Sequence, residues 1–83
     1  MFQNHPNPFN PKTAISYELS AISFVTLRVY DLLGREVATL VEEIQEAGYR
    51  NVEWDADGMP SGVYFCQLKA GESVTTRKLV LLR

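Results

Sequence analysis

Side chains that carry chemistry are scarce in this 83-residue chain, which has one cysteine, Cys66, and one histidine, His5. A single cysteine cannot form an internal disulfide, so packing alone must hold the fold together. Zinc needs roughly four nitrogen or sulfur ligands, which these two residues cannot supply. No nucleophile can be paired with a base, because His5 lies among prolines without a partner. We therefore expect no enzyme activity, no metal site and no cofactor.

The chain also lacks a positive charge excess and a long hydrophobic run. Its net charge is −2, so no basic patch is available to displace counterions from a nucleic acid, and we expect no nucleic-acid partner. The longest aliphatic run, residues 79–82, is far shorter than the ~20 residues of a membrane-spanning helix, so we expect no membrane span. The residues after Met1 do not form a signal peptide, and we expect the chain to be part of a longer polypeptide.

What the chain does have is a proline-rich opening, with Pro6, Pro8 and Pro11 among asparagines. Prolines at this density cannot enter a helix or a central strand. Residues 1–12, called the lead-in below, are expected to run extended along the body of the protein and to serve as a linker. Residues 13–83 show no repeat or second hydrophobic unit and are predicted to form one domain.

Beyond the lead-in, six β-strand candidates are separated by turn residues at short intervals. Apolar and polar residues alternate most clearly over residues 25–29, and Asp31 and Gly34 suit the first and fourth positions of a type I turn. The strand after Gly48 should anchor the core through Trp54. This pattern predicts an all-β fold, a small antiparallel immunoglobulin-like β-sandwich of about six to seven strands.

Three segments are harder to interpret. Residues 36–42 carry apolar side chains on both sides, so their inward face stays open. Residues 42–47 could form a helical turn, but Gly48 ends it and the segment is too short to be stable alone, so a loop is predicted. Residues 55–62 are rich in turn formers and are also predicted to be a loop.

Two patterns suggest binding but have simpler explanations. Asp55 and Asp57 before a glycine resemble the middle of a calcium loop, yet the closing glutamate would fall on Tyr64, so an acidic turn is favoured. Tyr49, Trp54, Tyr64 and Phe65 could stack on sugar rings if they formed an exposed row. Aromatic residues at strand spacing more often form core or cross-strand pairs.

Four blocks, taken in order, carry a family resemblance. They are PNPFNP at 6–11 with Thr13, VYDLLGREV at 29–37, SGVYF at 61–65 and KLVLL at 78–82. This series resembles the type A C-terminal sorting domain of the type IX (Por) secretion system, and the likeness runs from Asn4 to Arg83.

The resemblance implies a sorting and anchoring function. Members are β-sandwich tails at the extreme C-terminus of exported proteins in Bacteroidota and related bacteria. Such a tail directs a larger cargo through the periplasm and across the outer membrane to the cell surface or the medium. The implied partners are the outer-membrane translocon, an upstream cargo domain in the same polypeptide and, in many members, a sortase-like peptidase that removes the tail.

The resemblance also assigns positions. The terminal strand is the segment most closely associated with recognition, which gives as candidate translocon-recognition residues Lys78, Leu79, Val80, Leu81, Leu82 and Arg83. The candidate structural positions of the family motifs are Pro8, Phe9, Asn10, Pro11, Asp31, Gly34, Trp54, Gly62 and Tyr64. The ring of Phe9 is expected to lie against the sandwich. A terminal strand at a sheet edge offers unpaired backbone groups to a receptor, although residues 79–82 could instead simply complete the core.

Two other functions stay open at this point. One is a carbohydrate-binding accessory module, which requires at least two of the four aromatic rings to be coplanar and exposed. The other is a structural immunoglobulin-like domain of the kind found in flagellar hook-capping proteins, which share a similar glycine and aromatic pattern near their end.

Overall fold

The computed structural model describes residues 1–82, and the elements it contains are all β-strands. The strands are β1 Lys12–Leu19, β2 Ser23–Tyr30, β3 Glu36–Gln45, β4 Gly48–Asp55, β5 Gly62–Ala70 and β6 Ser73–Leu81. All four strand pairings are antiparallel. The all-β, antiparallel prediction is confirmed. Residues 1–82 contain no helix that could cross a membrane.

The strands form two sheets. β1 pairs with β4 in a two-stranded sheet, and the four-stranded sheet has the order β3-β2-β5-β6. The loop of residues 56–61 carries the chain from β4 in the small sheet to β5 in the large one. β2 and β5 are thus central strands, while β3 and β6 are the edges of the larger sheet.

The core lies between the two sheets and receives alternate side chains from every strand. The buried apolar side chains of the strands are Ile15, Tyr17, Leu19, Val25, Leu27, Val29, Val41, Trp54, Tyr64, Cys66, Leu68, Leu79 and Leu81. Because strand side chains alternate between faces, the residues between these core positions lie on the outer face, where most are half-buried or exposed. Burial of one large apolar side chain contributes about 1.5–3 kcal/mol, so this set is the main favourable contribution to folding in a chain that has no internal disulfide.

β3 differs from the sequence-based prediction. Residues 42–45, expected to be a loop, continue the strand as far as Gln45, which lies opposite Ser23 of β2. The side chain of Gln45 is buried and accepts a hydrogen bond of 2.6 Å from the Tyr17 hydroxyl. Pairing with β2 therefore overrides the weak local preference of these residues. Two register shifts against β2 leave Val37 and Leu40 as extra residues, which explains why no clean alternation was visible in this strand.

The lead-in lies along one side of the sandwich and contacts both sheets. Phe2 N donates to Ser16 O (2.9 Å), and His5 and Ala14 exchange two backbone hydrogen bonds of 2.9 and 3.0 Å. Residues 2–5 thus run beside β1 in the small sheet. The chain then crosses over, and Phe9 pairs in parallel with Leu81 of β6 in the large sheet. The lead-in ties an edge of one sheet to an edge of the other.

Candidate recognition surface

The terminal strand β6 turns alternate side chains toward the core. Leu79 and Leu81 are 1% and 0% exposed, whereas Lys78 and Leu82 are exposed and Val80 is half-buried. The interpretation that this strand completes the core is therefore confirmed for Leu79 and Leu81, and its role in recognition stays a prediction. Leu79 and Leu81 complete the core, and Lys78, Val80 and Leu82 are available on the outer face.

The backbone edge of β6 is closed near its C-terminal end, contrary to the expectation of unpaired groups there. Val80 O accepts from Phe9 N, and Leu82 N donates to Phe9 O, both at 3.0 Å. Val80 N donates to the side-chain oxygen of Asn7, also at 3.0 Å. The lead-in therefore occupies the positions that an added strand would use. Arg83, the last candidate, lies outside the described residues.

The open part of the β6 edge lies further toward the start of the strand. Since the backbone of Val80 faces the lead-in, the alternation of a strand directs the backbone groups of Lys78, Thr76 and Val74 to the same side. Lys78 O accepts from the side chain of Gln3 at 3.1 Å. Within residues 1–82, no hydrogen bond to the outward backbone groups of Val74 and Thr76 is found.

Three aromatic residues from separate parts of the chain meet in the core. The ring centroids of Phe9 and Trp54 are 5.6 Å apart, as are those of Trp54 and Tyr64, which meet edge-on at 71°. All three are at most 5% exposed, and aromatic pairs of this geometry contribute about 0.5–1.5 kcal/mol beyond burial. The Tyr64 hydroxyl donates to Pro60 O at 2.7 Å. Gly62, two residues before Tyr64, has a φ of 153°, a conformation that residues with a side chain disfavour.

The turn between β2 and β3 is held by Asp31. Its Oδ1 accepts from the backbone N–H groups of Leu33 and Arg35, both at 2.9 Å, and its Oδ2 accepts from Arg35 Nε at 2.9 Å. The backbone N–H of Arg35 is the main reason that the pKa of Asp31 lies below its ordinary value. Gly34, at φ of 84°, closes the turn. Leu32 and Leu33 project from it with 70% and 77% of their surface exposed.

The other lead-in positions of the family motif lie at the same end of the sandwich. Pro11 O accepts from the N–H of Ala56 at 2.9 Å, which joins the lead-in to the loop between β4 and β5. Pro8 and Asn10 are exposed on either side of the buried Phe9. The three proline peptide bonds of the lead-in are cis.

The surface beside the turn between β2 and β3 contains a shallow groove. It has a volume of about 270 Å³ and lies between the β2–β3 turn and the start of β5. Leu32 and Leu33 line one side of the groove, and Pro60 and Val63 line the other. The groove thus brings the second and third blocks of the family resemblance together on the surface.

The residues considered for catalysis or metal binding do not assemble into a site. Cys66 is fully buried, and burial raises the pKa of its thiol to about 12, so it is unreactive at neutral pH. Asp55 Oδ1 accepts from Asp57 N at 2.9 Å, as in an ordinary acidic turn. Within residues 1–82 no group of three His, Cys, Asp or Glu side chains is placed to hold a metal.

The four aromatic residues considered for sugar stacking do not form a row. Trp54 and Tyr64 are buried in the core. Tyr49 is 62% exposed, but it lies on the small sheet, whereas Phe65 lies on the outer face of the large sheet between two inward-facing residues. The condition for the carbohydrate-binding alternative is therefore not met by these rings.

Sequence reasoning missed a buried polar pair that holds the lead-in. The side-chain amide of Asn4 donates to Thr13 Oγ1 (2.8 Å) and to Pro6 O (2.9 Å), and Thr13 Oγ1 donates to Pro6 O (2.9 Å). Asn4 and Thr13 are 4% and 2% exposed. Thr13 could have been found, because it is in phase with the inward residues Ile15 and Tyr17. Asn4 carries no comparable signal.

The fold and these contacts define a small β-sandwich in which the lead-in covers part of the edge of its last strand, β6. The family model of the secretion system C-terminal sorting domain matches residues 4–82. The chain therefore belongs to the family of type IX secretion C-terminal sorting domains, which are sorting signals and not a catalytic family. No curated protein and no solved structure matches it. This membership favours sorting over a structural domain of the flagellar hook-capping kind.

Proposed function

We propose that residues 13–83 form the sorting domain of a larger cargo protein and direct it through the type IX secretion system to the cell surface or the medium. The lead-in joins the sandwich to the upstream cargo domain. The observation that carries the proposal is the family match over nearly the whole chain, from residue 4 to residue 82.

In this proposal the outer-membrane translocon recognises the outer side chains of β6. Lys78, Val80 and Leu82 are accessible, while the backbone of Val80 and Leu82 is occupied by Asn7 and Phe9. A receptor that binds the folded domain therefore contacts these side chains and does not add a strand to the edge of β6 at Val80 and Leu82. A sortase-like peptidase is a second partner, which acts after export and separates the tail from the cargo.

A reporter fusion tests the sorting function. A periplasmic reporter followed by this chain is produced in a bacterium with a type IX system and in the same strain without its translocon. We expect the reporter at the surface or in the medium only when the translocon is present. Retention in the periplasm of both strains contradicts the proposal. A smaller mass for the exported reporter than for the intact fusion would report removal of the tail.

The recognition residues need variants that keep the fold, because removal of residues 78–83 would also remove Leu79 and Leu81 from the core. Lys78→Glu reverses an outer charge, and its matched control is Lys69→Glu on the neighbouring strand. Leu82→Ser removes an apolar side chain that is 55% exposed, and its matched control is Val74→Ser on the same strand, at 57%. We expect loss of export for Lys78→Glu and Leu82→Ser and normal export for both controls. Equal export of all four variants contradicts this role of β6.

A further inference from the structure

We propose that the receptor that reads β6 also contacts the turn between β2 and β3, with Leu32 and Leu33 as its main apolar contacts there. The inference rests on the proposed function and adds a second segment, distant in sequence, to the recognition site. The tip surface is the set Leu32, Leu33, Val63, Val80 and Leu82.

The tip surface is continuous across two strands and a turn. Val80 of β6 lies opposite Val63 of β5 in the strand register, and both are half-buried on the outer face. Val63 in turn lines the groove whose other side is formed by Leu32 and Leu33. Leu82 follows Val80 on the same face and is 55% exposed. A partner that covers the outer side chains of β6 and Val63 therefore reaches the leucine pair across this groove.

The leucine pair is held in place before any partner binds. Asp31 accepts two backbone hydrogen bonds and one from Arg35 Nε, all at 2.9 Å, and its own backbone oxygen accepts from Gly34 at 3.0 Å. Little conformational entropy is left for the turn to lose on binding, which is the usual advantage of a preorganised contact. Both leucines have more than two thirds of their surface exposed, and contiguous exposed apolar surface on a small domain commonly marks an interaction site.

Charges around the tip surface indicate the chemistry of the partner. Asp31 is paired with Arg35, and Glu36 with Arg28 at 3.4 Å. Lys78, beside Val80, has no carboxylate partner among residues 1–82. The complementary surface is therefore an apolar pocket on a folded receptor protein, with an acidic side chain at the margin that faces Lys78.

A second apolar pair on the same face supplies a matched control. Phe24 and Ile44 are 55% and 68% exposed and lie opposite each other on β2 and β3. They are at the far end of the sheet from the β2–β3 turn, because Phe24 is the second residue of β2 and Ile44 is the last but one of β3. They match the leucine pair in exposure but not in position.

The test uses the reporter fusion with the double variants Leu32→Gln/Leu33→Gln and Phe24→Gln/Ile44→Gln. Thermal unfolding of the purified 83-residue chain checks that each variant folds. We expect the leucine variant to lower export by about tenfold or more, as loss of an anchor contact does, and the control variant to export normally. Both should unfold within a few degrees of the unchanged chain, since all four side chains are exposed.

The possible outcomes separate the inference from the function on which it rests. If the unchanged fusion is not exported, the sorting function itself is wrong. If it is exported and the leucine variant is exported equally well, or both double variants fail equally, the tip surface is not a recognition site. If sedimentation shows a dimer of the unchanged chain that the leucine variant abolishes, the surface belongs to a second copy and the inference is overturned.

Discussion

The two edge strands of the large sheet, β3 and β6, are protected from unwanted pairing in different ways. β3 is interrupted by two register shifts and carries Glu36 and Glu42, which both pair with Arg28 on the neighbouring strand. Irregularity and charge of this kind are common means of blunting an edge. β6 has a regular register with β5 over all nine of its residues, and only the C-terminal part of its outer edge is covered, by Phe9 and Asn7.

The protection of the two edges comes from different parts of the chain. Protection of β3 is built into β3 itself and its direct neighbour, so it forms with the sheet. Protection of β6 comes from residues more than 70 positions away along the chain, and it depends on a few side chains in the lead-in. Changes to the lead-in should therefore affect β6 and leave β3 unchanged.

The largest effect is expected for Phe9→Ala. The ring of Phe9 is 2% exposed and packs 5.6 Å from the ring of Trp54, and truncation of a buried phenylalanine costs about 3–5 kcal/mol. Urea denaturation gives the free energy of unfolding. Phe2→Ala is the control, because Phe2 is in the same segment but 51% exposed, and it should cost under about 1 kcal/mol. Equal losses for the two variants would mean that Phe9 does not anchor the lead-in.

Two adjacent threonines of β6 allow a sharper test of which side of the strand is open. The backbone N–H of Thr75 faces β5, and that of Thr76 faces the uncovered part of the edge. Thr75→Pro removes a ladder hydrogen bond and leaves its acceptor on β5 unpaired, which should cost about 1–3 kcal/mol, whereas Thr76→Pro should cost under about 1 kcal/mol. Thermal unfolding measures both. A large loss for Thr76→Pro would show that this part of the edge has a partner.

The features that sequence alone predicted are those set by neighbouring residues. Residues 25–29 alternate cleanly in sequence and lie within β2, and Asp31 and Gly34 belong to a turn whose hydrogen bonds span at most four positions. Trp54 lies in phase with Val52 and occupies the core as expected. In each case the pattern and its physical cause lie within one short segment.

The features that sequence did not predict depend on distant partners. β3 continues to Gln45 because β2 and Tyr17 pair with it, not because of its own composition. The course of the lead-in depends on Asn4 reaching Thr13 and on Phe9 reaching Leu81. The order β3-β2-β5-β6 was also open, since several strands are apolar on both faces. The closed edge of β6 follows from these same distant contacts.

A smaller loss is expected for Asn4→Ala. The variant removes the donors to Thr13 Oγ1 and Pro6 O at a buried position, which costs about 1–3 kcal/mol. The matched control is Asn10→Ala, since Asn10 is exposed in the same segment.

Alkylation of Cys66 gives a second readout of the lead-in. Met1, at the start of the lead-in, lies against the thiol, with its Sδ 3.9 Å from Cys66 Sγ, so release of the lead-in would uncover Cys66. Asn4→Ala should speed alkylation and Asn10→Ala should not. Unchanged alkylation in Asn4→Ala would contradict the role of Asn4 in holding the lead-in closed.

The smallest effect concerns the turn that leads into β3, where stability should depend on pH through Asp31. Because the folded-state pKa of Asp31 lies below its ordinary value, its ionised form stabilises the fold at neutral pH, and this contribution is lost as the pH falls through the folded-state pKa. Asp31→Asn keeps the shape of the side chain but not the charge. The melting temperature of Asp31→Asn should therefore lie below that of the unchanged chain at pH 7, and the two melting temperatures should converge in acid.

Arg35→Gln should keep most of this pH dependence, because the main cause of the lowered pKa of Asp31 is the backbone N–H of Arg35 and not its side chain. A difference between Asp31→Asn and the unchanged chain that stays constant down to strong acid would show that the charge of Asp31 does not stabilise the turn.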